Sequence, residues 1–207
     1  PVITGNIPVP VFPLTSPGIT VVMKTGHSGS VATALHDGRP VPFENNPFNT
    51  RWKFASGDGL IAIAEYRHLV EHKGITGNYK IGVFSHSHII EKLLMVELPD
   101  TVCGPTFGAY VIADQPVWRS GDRQAALFMQ AGYSPSKESY IDFTCAFGVN
   151  FTALIRGRDN DLTGLAVTAG RFSEDRSTET VIELTYRIQF SENIFLMIFQ
   201  LILYDYE

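Results

Sequence analysis

The chain has 207 residues, of which 16 are lysine or arginine and 21 are aspartate or glutamate, so its formal net charge is −5. An apolar content of 44% beside this small net charge excludes an intrinsically disordered chain. The lack of a basic surplus excludes a nucleic-acid binder that acts through phosphate neutralisation. The length suits one sizeable domain, and we expect residues 1–207 to form a single one.

Alternation of apolar with polar or small residues predicts nine or ten strands along the chain. In order, the segments are 19–24, 31–36, 60–67, 79–83, 107–117, 125–131, 141–151, 164–169 and 182–190. Polar turn residues separate most of them, but the connections 37–59 and 87–105 are long. This mixture predicts antiparallel hairpins in which one end of the sheet carries the long loops.

Two of these segments alternate almost without interruption. In residues 141–151 every odd position is apolar, and in residues 182–190 every even position is apolar. Because successive side chains of a strand point to opposite faces, each segment has one apolar face and one polar or small face. Both segments are longer than the roughly five or six residues usual in a sandwich strand.

This alternation suits either a soluble β-sandwich, whose strands have a core face and a solvent face, or a membrane barrel, whose strands have a lipid face and a lumen face. The length of the strands favours the membrane barrel. So do tyrosines near strand ends, where an aromatic girdle is expected: Tyr66, Tyr79, Tyr133 and Tyr140. We therefore predict an all-β fold, a transmembrane antiparallel β-barrel. No apolar run reaches the about 18 to 20 residues of a membrane-spanning helix.

An ordered set of short stretches carries a more specific signal. They are VPVFPLTSPGI at 9–19, LHDG at 35–38, AIAEY at 62–66, GNYKIGVFSH at 77–86, VIADQPVWR at 111–119, SPSKESYIDF at 134–143, LIRGRDND at 154–161 and ETVIELTYRIQ at 179–189. In this order the chain resembles the carbohydrate-selective outer-membrane porins of the OprB family. The resemblance implies a sixteen-stranded barrel in the bacterial outer membrane, which passes glucose-like sugars by passive diffusion without enzyme activity or a cofactor. The implied partners are small sugars and outer-membrane lipid.

The chain departs from the family pattern at both ends. The family's first strands are missing, and residues 191–207 form an atypical tail that does not alternate. We therefore expect nine or ten of the sixteen strands, and an incomplete barrel.

Selective passage of a sugar requires polar groups that replace its hydration shell and aromatic groups that meet its apolar faces. The lumen-lining candidates are Lys80, Asp142, Asn150, Glu183, Arg187 and Gln189, with Trp118 and Arg119 at a strand end. Charged side chains are expected on the lumen face because they are costly on the lipid face. We expect no metal site: His86 and His88 lack a third ligand, and Asp159 and Asp161 offer too few oxygens for Ca²⁺ in what is expected to be an exposed turn.

Two alternative functions remain open from the sequence. One is a soluble β-rich carbohydrate-binding module or hydrolase domain, which would need no detergent in solution. The other is a general porin without sugar preference, in which the charged positions are merely solvated residues of the wall.

Overall fold

The computed structural model describes residues 15–38, 41, 45–48, 50, 52, 59–72, 74–87, 104–135, 139–174 and 176–206. Within these ranges the chain forms ten β-strands and no α-helix. The strands are β1 (Gly18–Thr25), β2 (Gly29–Asp37), β3 (Leu60–His72), β4 (Ile75–His86), β5 (Thr106–Ser120), β6 (Arg123–Tyr133), β7 (Ile141–Thr152), β8 (Leu162–Phe172), β9 (Thr178–Ser191) and β10 (Ile194–Tyr206). They make one sheet in which neighbours along the chain pair antiparallel.

The sheet confirms the all-β antiparallel fold expected from the alternation. Nine of the strands contain the nine predicted segments, and several extend beyond them. Strand β4 is the clearest case, because alternation predicts only residues 79–83 whereas β4 pairs with β3 from Ile75 to His86. Hydrogen bonding between strands therefore continues past the point where the local hydrophobic pattern fades.

The apolar face of the sheet, here called the outer face, is exposed. Pairing aligns its side chains in rows, so that Phe147 lies between Met129 of β6 and Val167 of β8. Phe147 is 59% exposed and Met129 is 48% exposed. A soluble sandwich buries such a row against a second sheet, whereas a membrane barrel presents it to lipid. The exposed row is the arrangement typical of a membrane barrel.

The opposite face, here called the inner face, holds the closest side-chain packing of the sheet. Phe84 and Tyr110 are buried against each other, with Ile63 and Ile112 beside them. The Tyr110 ring lies directly over Gly82 of the neighbouring strand, where a Cβ atom would stand only 2.2 Å from Tyr110 Cζ. Any side chain at this position would displace the ring, so Gly82 allows Tyr110 to lie flat on the neighbouring strand.

The connections differ between the two ends of the sheet. At the short-turn end, residues 26–28, 73–74, 121–122 and 192–193 join strands, beside the longer turn 153–161. At the opposite, long-loop end the connections are 38–59, 87–105, 134–140 and 173–177. Because the strands alternate in direction, both long connections join strands at the same end, which confirms the prediction of one elaborated end.

Strands β1 and β10 are the two edges of the sheet. Within the described residues each pairs with a single strand and the barrel is open, as expected for an incomplete barrel. The tail predicted to be atypical contributes β10, which pairs with β9 from Ile194 to Tyr206. No segment that the structure describes forms a helix long and apolar enough to cross a membrane.

Candidate functional site

The inner face brings polar side chains together with small neighbours. Asn150 of β7 lies opposite Ala126 of β6 and Gly164 of β8, and Glu183 of β9 lies opposite Ala166 of β8. Because these neighbours are small, the polar side chains are not covered from β6 or β8. Such a wall can exchange hydrogen bonds with a passing solute.

A first polar cluster on this face spans β3, β4 and β5. The Lys80 Nζ lies 3.2 Å from Glu65 Oε1, and the Tyr110 hydroxyl donates a hydrogen bond of 2.9 Å to Glu65 Oε2. Nearby, Arg67 Nε donates to Asn78 Oδ1 over 2.9 Å. The carboxylate of Glu65 is thus held by a cation and a phenol, which fixes its position on the wall.

The predicted set contains only Lys80 from this cluster. Glu65 and Tyr110 were missed because β3 and the first half of β5 alternate weakly. A usable signal was present, since Glu65 and Arg67 are two charged residues at alternate positions of one segment and so share a face. The cross-strand contact of Glu65 with Lys80 and Tyr110, however, depends on strand register.

A second part of the face, across β6 to β10, forms a groove with a volume of about 590 Å³. Three predicted residues, Asn150, Glu183 and Arg187, line this groove. Polar neighbours that the sequence did not single out also line it: Gln124, Thr152, Thr168 and Thr185. The Thr185 hydroxyl donates to Glu183 Oε1, and the Arg187 guanidinium carbon lies 5.7 Å from the centre of the Phe195 ring.

The other predicted residues lie apart from this groove. At the long-loop end, Asp142 accepts two hydrogen bonds from Arg171, of 2.8 Å and 2.9 Å. Gln189 donates through its backbone N–H to Asp161 Oδ1 over 2.9 Å, and its side-chain amide donates to the Ser191 carbonyl. A contact of these side chains with solute stays a prediction.

A β-bulge in β5 decides which face of the sheet Trp118 and Arg119 occupy. Pairing shifts between Pro116 and Trp118, so that Trp118 lies opposite Ala125 and shares the row of Phe151 on the outer face. Arg119 lies opposite Gln124, on the inner face. Proline lacks the N–H that the ladder needs and is confined to edges and bulges, so Pro116 was the available sequence signal.

The turn 153–161 differs from the exposed turn that was predicted. Asp159 is exposed, but Asp161 is only 2% exposed. Its carboxylate accepts hydrogen bonds from Arg158 Nε (2.8 Å), from the backbone N–H of Gln189 (2.9 Å) and from the Tyr186 hydroxyl. The prediction of an exposed turn is therefore wrong for Asp161, because cross-strand donors from β9 draw it inward.

These contacts determine the pKa of Asp161. Burial raises the pKa of Asp161, but hydrogen bonds from Tyr186, Arg158 and the backbone of Gln189 outweigh burial and lower the pKa to about 2. An ionised carboxylate held by three donors fastens the turn to β9.

Histidine and acidic side chains are the candidate metal ligands of the chain. His86 is buried at the long-loop end, with its Nε2 atom 3.2 Å from the Gly38 carbonyl oxygen, and His88 lies outside the described residues. Among the residues that the structure describes, no group of three or more His, Cys, Asp or Glu side chains is placed to hold a metal ion.

Comparison with known proteins adds two findings. The model of the carbohydrate-selective porin, OprB family, matches residues 4–197. A structure of Pseudomonas putida OprB at high pH matches with a TM-score of 0.70 and 17% sequence identity, over 86% of this chain and 51% of that chain. At this identity the structural match shows a shared fold, and the chain spans about half the length of the protein it matches. None of the curated proteins compared with the chain matches it.

Proposed function

We propose that this chain, which belongs to the OprB family of carbohydrate-selective porins, forms part of the wall of an outer-membrane channel for the passive diffusion of glucose-like sugars. The family is one of channels rather than enzymes. The observation that carries the proposal is the two-sided sheet, with an exposed apolar outer face and an inner face of polar and small residues. That division matches the lipid face and the aqueous face of a porin wall.

The inner face supplies the chemistry that diffusion of a sugar needs. A sugar entering a narrow channel loses part of its hydration shell, and groups such as Asn150, Glu183 and Arg187 replace those hydrogen bonds. Opposite charges on the same wall, as in Lys80 and Glu65, keep its net charge small. Weak, repeated contacts of this kind let a neutral polar solute enter and leave without energy input.

Reconstitution of the full chain tests the proposal against its alternatives. We expect the chain to require detergent and, in proteoliposomes, to admit glucose faster than protein-free liposomes of the same lipid. A chain that stays monomeric in buffer without detergent would favour the soluble binding module or hydrolase domain. In planar bilayers, conductance that glucose does not reduce would favour a general porin.

Substitution of Lys80 tests whether the β3–β5 cluster faces the pore. Lys80→Gln leaves Glu65 without its cation, so we expect cations to be favoured over anions by up to roughly fivefold at low salt, since a unit charge at about 4 Å in water contributes about 1 kcal/mol. The measurement is the reversal potential across a bilayer with a KCl gradient. The effect should shrink at high salt because ions screen the charge.

Two variants of the same cluster serve as controls. Glu65→Gln should shift the reversal potential in the opposite direction. Tyr110→Phe removes the hydrogen bond to Glu65 without changing charge, and should leave the reversal potential unchanged. Reversal potentials that do not move for either charge variant would show that this cluster lies away from the conducting path.

A further inference from the structure

Strand β10 differs from the other strands in the character of its inner face. Pairing with β9 sets its odd positions on the inner face, level with Gln189, Arg187, Thr185, Glu183 and Val181. These odd positions are Phe195, Met197, Phe199, Leu201 and Leu203, and each is between 47% and 71% exposed. The inner face of the sheet therefore carries one continuous apolar stripe, here called the β10 stripe, directly beside the charged row of β9.

The β10 stripe and the charged row of β9 meet in the groove already described. Met197 lines that groove together with Glu183, Thr185 and Arg187. The Phe195 ring lies under the Arg187 guanidinium at 5.7 Å, a distance at which a cation and an aromatic face attract each other. The Arg187 Nε atom is buried against this contact and has no hydrogen-bond partner among the described residues. The β10 side of the groove is thus apolar, at Met197, and the β9 side carries hydrogen-bonding groups of both charges.

A ligand for such a groove needs an apolar face on one side and hydrogen-bonding groups on the other. A pyranose ring has an apolar face of C–H groups and a rim of hydroxyls that both donate and accept. Aromatic and apolar side chains bind the first, and carboxylate and guanidinium groups bind the second. An acyl chain would displace water from Glu183 and Arg187 without supplying a hydrogen bond to either, which is costly.

We propose that the inner face of β9 and β10 is a pyranose-binding subsite, in which the β10 stripe packs against the C–H face of the sugar and Glu183 and Arg187 bind its hydroxyls. The proposal rests on the proposed function, because it places the subsite on the wall that sugars pass. It extends that function by locating sugar contact in the segment that departs most from the family pattern. It also explains why an apolar stripe is compatible with an aqueous face.

Three of the four methionines provide a direct test. Met197 lies on the β10 stripe, whereas Met23 and Met129 lie on the outer face with similar exposure (47% against 56% and 48%). The full chain, labelled with ¹³C at the methionine methyl groups and reconstituted in lipid nanodiscs, should give separate methyl signals. Met197→Leu assigns the Met197 signal by its loss.

Titration with methyl β-D-glucopyranoside should shift the Met197 signal and leave those of Met23 and Met129 in place. Sorbitol, which is polyhydroxylated but has no ring, should leave all three in place. Phe195→Ala should weaken binding of the glucoside roughly three- to tenfold, the size of a lost aromatic contact, whereas Phe147→Ala on the outer face should not. A Met197 signal that ignores the glucoside, or that responds equally to sorbitol, overturns the subsite.

A second measurement separates sugar contact from lipid contact. A phospholipid with a spin label on its acyl chain should broaden the Met23 and Met129 signals and spare Met197. Broadening of Met197 as strong as that of Met129 would show that the β10 stripe faces lipid, and would overturn the subsite. Glucose influx into proteoliposomes, measured on the same preparation, tests the proposed function independently. Influx without a shift of the Met197 signal would contradict the subsite and support the channel.

Discussion

Replacement of Gly148 by alanine is expected to destabilise the sheet by about 1–3 kcal/mol, the usual cost of forcing an extra group into a packed site. Gly148 lies in β7 on the inner face, between Phe128 of β6 and Ala166 of β8. A Cβ atom at this position would stand 2.3 Å from the Leu165 carbonyl oxygen and 2.7 Å from the Phe128 ring. The ring can turn aside, but the carbonyl belongs to the backbone of β8 and moves only if the pairing of β7 and β8 loosens.

Gly170→Ala in β8 is the matched control for this variant. Gly170 is also a strand glycine on the inner face, but a Cβ atom there would meet nothing nearer than Ile141 Cγ2, at 3.9 Å. Alanine should be neutral there or stabilising by up to about 1 kcal/mol, because glycine loses more conformational freedom on folding. Urea unfolding of both variants in the same detergent measures the difference. Equal losses of stability would show that β7 and β8 are not packed as described.

The sequence predicted the sheet well because its dominant signal is local. Alternation in residues 143–151 and 182–190 assigns each side chain to a face without knowledge of its neighbours, and both assignments hold in the structure. At the start of the first segment the assignment fails, because a bulge between Ile141 and Phe143 pairs Ile141 with Phe172. The same rule placed Asn150, Glu183 and Arg187 on one face, and the groove brings these three together. Where a property depends on the period of one strand, the sequence is sufficient.

Contacts between strands could not be predicted from the alternation within one strand. The interaction of Glu65 with Lys80 and Tyr110 requires the register of three strands, and the position of Trp118 depends on one extra residue after Pro116. A single bulge exchanges the faces of all following residues. Adjacent residues of a strand lie on opposite faces in any case, and the bulge decides that Trp118 takes the outer face and Arg119 the inner face.

Strand β10 failed the alternation rule for a different reason. Its residues are apolar at almost every position, so period two carries no information there, and residues 191–207 were predicted only as an atypical tail. Pairing with β9 makes the segment a strand, since backbone hydrogen bonds do not depend on which side chains alternate. Both faces of the sheet are therefore apolar along β10.

Asp161→Asn is expected to lower the stability of the chain at neutral pH and to detach the turn 153–161 from β9. The asparagine keeps the shape of the side chain but removes the charge that Arg158 binds, and presents an NH₂ group toward donors. Charge-assisted hydrogen bonds are about twice as strong as neutral ones. Asp159→Asn is the matched control, because Asp159 lies exposed in the same turn and its replacement should leave stability in place.

The pH dependence of the Asp161→Asn effect identifies the carboxylate as its cause. The pKa of Asp161 falls from an ordinary value of 3.8 to about 2 in the folded chain, so the ionised group favours the folded state fully above about pH 4. As pH falls from about 4 to about 2 the carboxyl takes up its proton and this contribution is lost. Urea unfolding in detergent at pH 7, 3 and 2 should therefore show a gap between the unsubstituted chain and Asp161→Asn that narrows at pH 3 and nearly closes at pH 2. A gap of constant size across this range would show that the turn is held by its shape rather than by the charge of Asp161.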